Sequence, residues 1–218
     1  MGYSLIVMRT VNVSEVFTSI QGESSFAGLS CFFIRLSGCN LRCSYCDTTY
    51  AYEPGEDRDI AELVGQWGAS RAAMAEISGG EPLLQDGFTE LAAGLRRASS
   101  RPVLVETNGS RDLSVIPPGV MAIMDVKCPG SGESASLDLR NLERLRPEDE
   151  VKFVIGDHAD YVWARHFAAH HRLAQVCQAV HFSPVWGRLD PRQLGEWIVE
   201  DGLPVRLQVP LHKVLGVR

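Results

Sequence analysis

Short, nearly continuous apolar runs alternate along the chain with segments whose apolar residues recur every three or four positions. The runs Cys31 to Leu36, Met74 to Ser78, Pro102 to Glu106, Met121 to Asp125, Val151 to Ile155, Val180 to Ser183 and Val205 to Val209 predict strands. Continuous rather than alternating apolar character is expected of a parallel sheet covered by helices. Between them, Ile60, Leu63, Val64 and Trp67 fall on one helical face, as do Phe88, Leu91, Ala92 and Leu95. A further helix starts at Asp190 as N-cap with Pro191 in its first turn, and buries Leu194, Trp197 and Ile198. Val11 to Phe17 predicts one added strand ahead of the alternating part. Strand–helix alternation implies an α/β fold with right-handed crossovers, either an open doubly wound sheet or a barrel. A closed eight-fold barrel takes about 250 residues, and about six or seven units fit here, so an incomplete (β/α) barrel with an added N-terminal strand is expected.

In either architecture the functional groups collect at the carboxyl ends of the strands. Those positions hold Cys39, then Gly79-Gly80-Glu81, Thr107-Asn108-Gly109, Lys127, Asp157, Pro184 with Trp186, and His212. One large site on one rim is the reading. The chain has 218 residues, which favours a single domain over 1–218. Its 21 Lys and Arg against 27 Asp and Glu leave a formal net charge of −6, which argues against a nucleic-acid partner. No stretch approaches the ~18 apolar residues of a membrane span. The apolar run Leu5-Ile6-Val7-Met8 lacks the flanks of a secretory signal, so a cytoplasmic location is expected.

A reducing compartment makes the six cysteines metal or catalytic groups before it makes them disulfides. Cys39-Asn-Leu-Arg-Cys43-Ser-Tyr-Cys46 sets three thiols in a C-x3-C-x2-C triplet. A structural zinc wants four ligands, and no fourth Cys or His lies nearby; all six histidines lie beyond residue 157. Disulfides would leave one of the three unpaired. An iron–sulfur cluster held by three cysteines keeps one iron open to an outside ligand, and spacing favours it over zinc. Cys31 reads as a buried small hydrophobe, and Cys128 and Cys177 show no partner spacing.

The triplet with Tyr45 before its last cysteine, and Ser78-Gly79-Gly80-Glu81-Pro82 after the next strand, resemble the radical S-adenosylmethionine enzymes. Three more segments narrow the likeness: Glu15 through Gln21-Gly22-Glu23, Phe33 through Cys39-Asn40, and Cys46-Asp47-Thr48. With the ending Leu207 to Lys213, they resemble the 7-carboxy-7-deazaguanine synthase family. That resemblance implies a radical lyase. It contracts 6-carboxy-5,6,7,8-tetrahydropterin, releases ammonia and serves 7-deazapurine and queuosine synthesis. Its implied cofactors are a [4Fe–4S] cluster on Cys39, Cys43 and Cys46, S-adenosylmethionine, and Mg2+ on Thr48. Ile20, Gln21, Gly22, Glu23, Arg35 and Ser78 would hold the pterin; Arg35 suits a carboxylate because a guanidinium binds it bidentately. Tyr45, Asp47, Gly79, Gly80, Glu81, Asp125, Lys127, Ser183, Pro184, Val185 and Trp186 would contact S-adenosylmethionine. Cluster and cofactor carry the radical chemistry, and no side chain is assigned as acid or base. Asp125-Val-Lys127 stands where the family often has Ser-x-Lys, and Ser24 where glycine is usual. The resemblance also implies a homodimer fed by an electron donor such as flavodoxin or ferredoxin. The rival readings are an activase that installs a glycyl radical on a partner protein, and an electron carrier, which would normally use four cysteines.

Overall fold

The computed structural model describes residues 9–218, so the apolar run at residues 5–8 lies outside the described part of the chain. Each expected strand and helix is present. In order they are β1 (Thr10–Ile20), β2 (Ser30–Leu36), β3 (Glu56–Asp59), α1 (Ile60–Ala69), β4 (Met74–Gly79), α2 (Phe88–Ala98), β5 (Val103–Thr107), β6 (Met121–Asp125), α3 (Asn141–Arg144), β7 (Glu150–Ile155), α4 (His158–His170), α5 (Leu173–Val176), β8 (Ala179–Pro184), α6 (Pro191–Glu200), β9 (Arg206–Leu207) and α7 (Leu211–Leu215). The expected caps operate: Asp59 accepts from the Ala61 and Glu62 N–H groups of α1, and Asp190 from Arg192 of α6.

The described strands form one nine-stranded sheet in the order β3-β1-β2-β4-β5-β6-β7-β8-β9. From β2 to β9 every neighbouring pair is parallel. β1 runs antiparallel to β2 and β3, with a bulge between Val13 and Glu15. No pairing among the described residues joins β9 to β3, so the sheet is not closed into a barrel. The added strand runs to Ile20, beyond the expected Phe17. β3, Glu-Asp-Arg-Asp, carries no apolar signal, so its sequence predicts no strand. β9 pairs only at Arg206 and Leu207, short of the expected 205–209, as suits an edge strand.

Strand alternation separates two chemistries. On β4, Ala75 and Ile77 join the large core between sheet and helices, while Met74, Glu76 and Ser78 face inward. The inner face is apolar at its amino end, where Cys31, Phe33, Met74, Leu104 and Ile123 cluster, and becomes charged halfway up. The β1–β2 turn spans the open side of the sheet. Its Ser25 N–H donates to Glu150 at 3.1 Å, Arg206 donates to the Ser25 hydroxyl at 2.8 Å, and Leu211 N–H donates to the Gly22 carbonyl at 2.9 Å. Glu150 also pairs with buried His181 at 2.9 Å, so the far strands grip this turn through a buried charge.

Candidate active site

The carboxyl end of the inner face holds a cavity of about 380 Å³, a size suited to small molecules. Of the residues assigned to the cluster, S-adenosylmethionine, Mg2+ or the pterin, all but one line it: Ile20, Gln21, Gly22, Glu23, Arg35, Cys39, Cys43, Tyr45, Cys46, Asp47, Thr48, Ser78, Gly79, Gly80, Asp125, Lys127, Ser183, Pro184, Val185 and Trp186. Glu81 is the exception. It is fully buried behind the rim, where it accepts from Leu83 N–H at 3.0 Å, Thr107 Oγ1 at 2.8 Å and Asn108 N–H at 2.6 Å. Its carboxylate therefore ties the rim loops after β4 and β5 together. Thr107, Asn108 and His212 also reach the cavity; Asp157 and Gln208 do not. Asp157 instead caps α4 by accepting from Asp160 N–H.

Both glycines of the Gly79-Gly80 pair are needed for backbone approach. A Cβ at Gly79, whose φ is +145°, would run into the Leu36 carbonyl, and one at Gly80 would meet the Gly38 carbonyl and Cys39 Cβ. Gly80 N–H donates to Leu36 at 3.1 Å and Glu81 N–H to Gly38 at 2.8 Å, which seats the start of the cysteine loop on β4. The other side of that loop rests on the Gly/Ser-rich segment after β6. Ser44 N–H donates to the Ser131 carbonyl at 2.9 Å, Ser44 Oγ to Gly130 at 2.8 Å, and Arg42 N–H to Glu133 at 2.7 Å. The Arg42 guanidinium lies 4.2 Å from the centre of the Tyr52 ring.

The three thiols face one cavity and are each half-buried. Burial pushes the Cys39 and Cys43 thiols up, and the charge of Lys127 works against it. Among the described residues no three Cys, His, Asp or Glu side chains converge closely enough to hold one metal ion. Three thiols facing one cavity match the donor set of a polynuclear cluster, in which each would bind a different iron and one iron stays open, whereas a structural zinc wants four ligands. Next to them the exposed Asp47 carboxyl is held below the usual carboxylate range by Lys213 at 2.5 Å and the Thr48 hydroxyl at 3.0 Å. Tyr45 donates to the Val154 carbonyl at 3.2 Å, and Trp186 stands half-exposed at the mouth.

The floor is charged, and this the sequence reading missed. Lys152 of β7 binds Glu23 at 2.6 Å, Glu106 of β5, and Asp125 at 3.6 Å. Asp125 pairs with Lys127 at 2.8 Å. Glu76 hydrogen-bonds the Gln21 amide, and Ser78 Oγ lies 3.4 Å from Glu106. On the wall, Phe17 stacks on Phe33 with centroids 4.9 Å apart, and Arg35 lies over Phe17 while binding Glu15 at 2.8 Å. Gly22 is dictated by His212, whose ring occupies the space a Cβ would need. The readable trace of the floor is a charge set among apolar strand residues: Glu76, Glu106 and Lys152 each sit in such a strand.

This parallel sheet, with a three-cysteine loop after its first parallel strand and a Gly-Gly pair after the next, defines a radical S-adenosylmethionine protein. The model of the Radical SAM superfamily matches residues 33–124. A 7-carboxy-7-deazaguanine synthase of Koribacter versatilis is 42% identical over 94% of this chain and 96% of its own. One of Chlorobaculum tepidum is 45% identical over 94% of each. The crystal structure of QueE from Escherichia coli shares the fold, with a TM-score of 0.73 at 22% identity over 93% of this chain and 95% of that one. The chain belongs to the 7-carboxy-7-deazaguanine synthase family.

Proposed function

We propose that this protein converts 6-carboxy-5,6,7,8-tetrahydropterin to 7-carboxy-7-deazaguanine with release of ammonia. The observation that carries the reading is a single cavity with three thiols at its mouth, a charged floor and an arginine-bearing aromatic wall. Its relatives are named for this synthase, which speaks against the activase reading. Cys39, Cys43 and Cys46 would hold a [4Fe–4S] cluster that, with S-adenosylmethionine, supplies a 5′-deoxyadenosyl radical for hydrogen abstraction. Tyr45, Asp47, Gly79, Gly80, Asp125, Lys127 and the segment Ser183 to Trp186 line the part of the cavity assigned to S-adenosylmethionine. Glu81 supports that part from behind.

Lining the same cavity, Ile20, Gln21, Gly22, Glu23, Arg35 and Ser78 would bind the pterin. Lys152 and Glu106, absent from the sequence-based assignment, complete that floor. Arg35 is oriented by Glu15, which Tyr50 also holds at 2.7 Å, so its guanidinium stays at the cavity wall. Thr48 would offer its hydroxyl to Mg2+, a hard cation completed by water and substrate oxygen. The same reading makes the protein a cytoplasmic homodimer reduced by flavodoxin or ferredoxin and serving queuosine synthesis; sedimentation as a monomer would remove the dimer from it. Among the described residues no helix is long and apolar enough to cross a membrane.

The test is direct. Anaerobically reconstituted protein given S-adenosylmethionine, the carboxytetrahydropterin, Mg2+ and reduced flavodoxin is expected to form the deazaguanine and ammonia in equal amounts, more slowly without Mg2+. Cleavage of S-adenosylmethionine with no deazaguanine overturns the substrate assignment, and a Mg2+-independent rate overturns the role of Thr48. Arg35→Ala is expected to raise the pterin KM by roughly 10- to 100-fold, the value of a charge-assisted hydrogen bond. Cluster content and unproductive cofactor cleavage stay as they were. Arg35→Lys recovers little, because an ammonium lacks the planar fork. An unchanged KM in Arg35→Ala would remove Arg35 from the pterin site.

A further inference from the structure

Glu76 lies midway along β4, faces the cavity, and is 3% exposed. Its side-chain hydrogen bond comes from Gln21 Nε2, and Gln21 Oε1 accepts from Glu23 N–H at 3.1 Å. The amide is thus held at both ends, and its orientation passes from β4 to the turn that carries Glu23. The groups acting on Glu76 are Glu106 of β5, Lys152 of β7, Glu23 of the β1–β2 turn and the Cys31 thiol of β2, and Asp125 of β6 lines the same cavity. Lys152 is shared by Glu23, Glu106 and Asp125, and Lys127 is held by Asp125. Two cations already serve three carboxylates. Among the described residues no cation lies within ion-pair distance of Glu76, so its charge would stand buried and unpaired beside like charges.

We propose that Glu76 is a positioning residue kept as the neutral acid, which fixes the Gln21 amide and the Glu23 backbone for pterin binding. This rests on the proposed function for its substrate, and on the floor geometry for its charge state. Burial, then the carboxylate of Glu106, push the pKa of Glu76 up to about 8, with Lys152 only partly offsetting them. The sign follows from linkage. A carboxyl whose folded pKa lies above its unfolded value destabilises the fold as pH rises from the unfolded value toward the folded one.

The experiment compares the cluster-loaded parent with Glu76→Gln and Glu76→Ala. Glutamine keeps the shape of the neutral acid and a carbonyl oxygen to accept from Gln21 Nε2, and cannot ionise. In anaerobic thermal unfolding, the Tm of Glu76→Gln minus that of the parent is expected to grow by several degrees between about pH 5 and pH 8 and then level off. Groups common to both proteins cancel in that difference. With the pterin as substrate, Glu76→Ala is expected to raise KM about tenfold or more with a smaller change in kcat, and Glu76→Gln to restore KM to within about threefold of the parent. A Tm difference independent of pH overturns the proposal. So does a Glu76→Gln protein whose KM is as poor as that of Glu76→Ala, which would mean the ionised carboxylate is required. If the parent makes no deazaguanine, the functional reading fails, while the pH dependence of the Tm difference still decides the state of Glu76.

Discussion

Cys39→Ala, Cys43→Ala and Cys46→Ala are each expected to yield folded protein that has lost the visible absorbance of the cluster and all S-adenosylmethionine cleavage. The reason is the number of thiols. Three cysteines are the minimum that leaves one iron open, and removing any of them leaves two, too few to retain the cluster. The fold should survive, because the cysteine loop is anchored by other groups: Gly80 and Glu81 N–H on one side, and Gly130, Ser131 and Glu133 on the other. Cys177→Ala supplies the contrast. Its thiol is buried far from the cavity lining and donates to the Leu173 carbonyl at 3.1 Å, so cluster content should be unchanged. Iron and sulfide analysis after anaerobic reconstitution reads all four proteins. A Cys43→Ala protein with full cluster content would overturn the ligand assignment.

Lys152→Met is expected to destabilise the fold by about 3–5 kcal/mol and to abolish pterin turnover. Methionine roughly matches the length of the stem but leaves Glu23, Glu106 and Asp125 facing one another without their shared cation. Lys152 is 6% exposed, so water cannot replace the ammonium. Each kcal/mol lowers Tm by about 2–4 °C in a chain of this size, so a fall of about 10 °C is the measurable outcome. Lys152→Arg keeps the charge and should recover most of the stability. A loss under about 1 kcal/mol in Lys152→Met would show that the carboxylates take up protons or move apart, and that the lysine does not hold the floor together.

The same lysine marks where sequence reading stops. Val151 to Ile155 is legible as a strand because its neighbours are apolar, and the charge in its middle looks like an interruption. Only when β5, β6 and β7 lie side by side do Glu106, Asp125 and Lys152 become one ionic group. The reverse holds for Glu81. Its motif places it with the glycines proposed to contact S-adenosylmethionine, yet its carboxylate turns away to bridge two rim loops. The segment Pro129 to Ser136 reads as an irregular loop of small residues, and the fold makes it the seat of the cysteine loop. No local pattern carries such information, since each contact joins residues brought together only by the sheet.

By itself the amino-acid sequence determined the strand–helix alternation, the rim on which the functional groups gather, and the C-x3-C-x2-C triplet. These are local properties: hydrophobic period, turn chemistry and ligand spacing act over a few residues along the chain. Tertiary structure alone decided which inward charges meet, that the β1–β2 turn spans the open side, and that Glu76 is left without a cation. The physical reason is that charge interactions depend on distance and burial and not on separation along the chain. Glu23 and Lys152 stand 129 residues apart in sequence and 2.6 Å apart in the cavity floor.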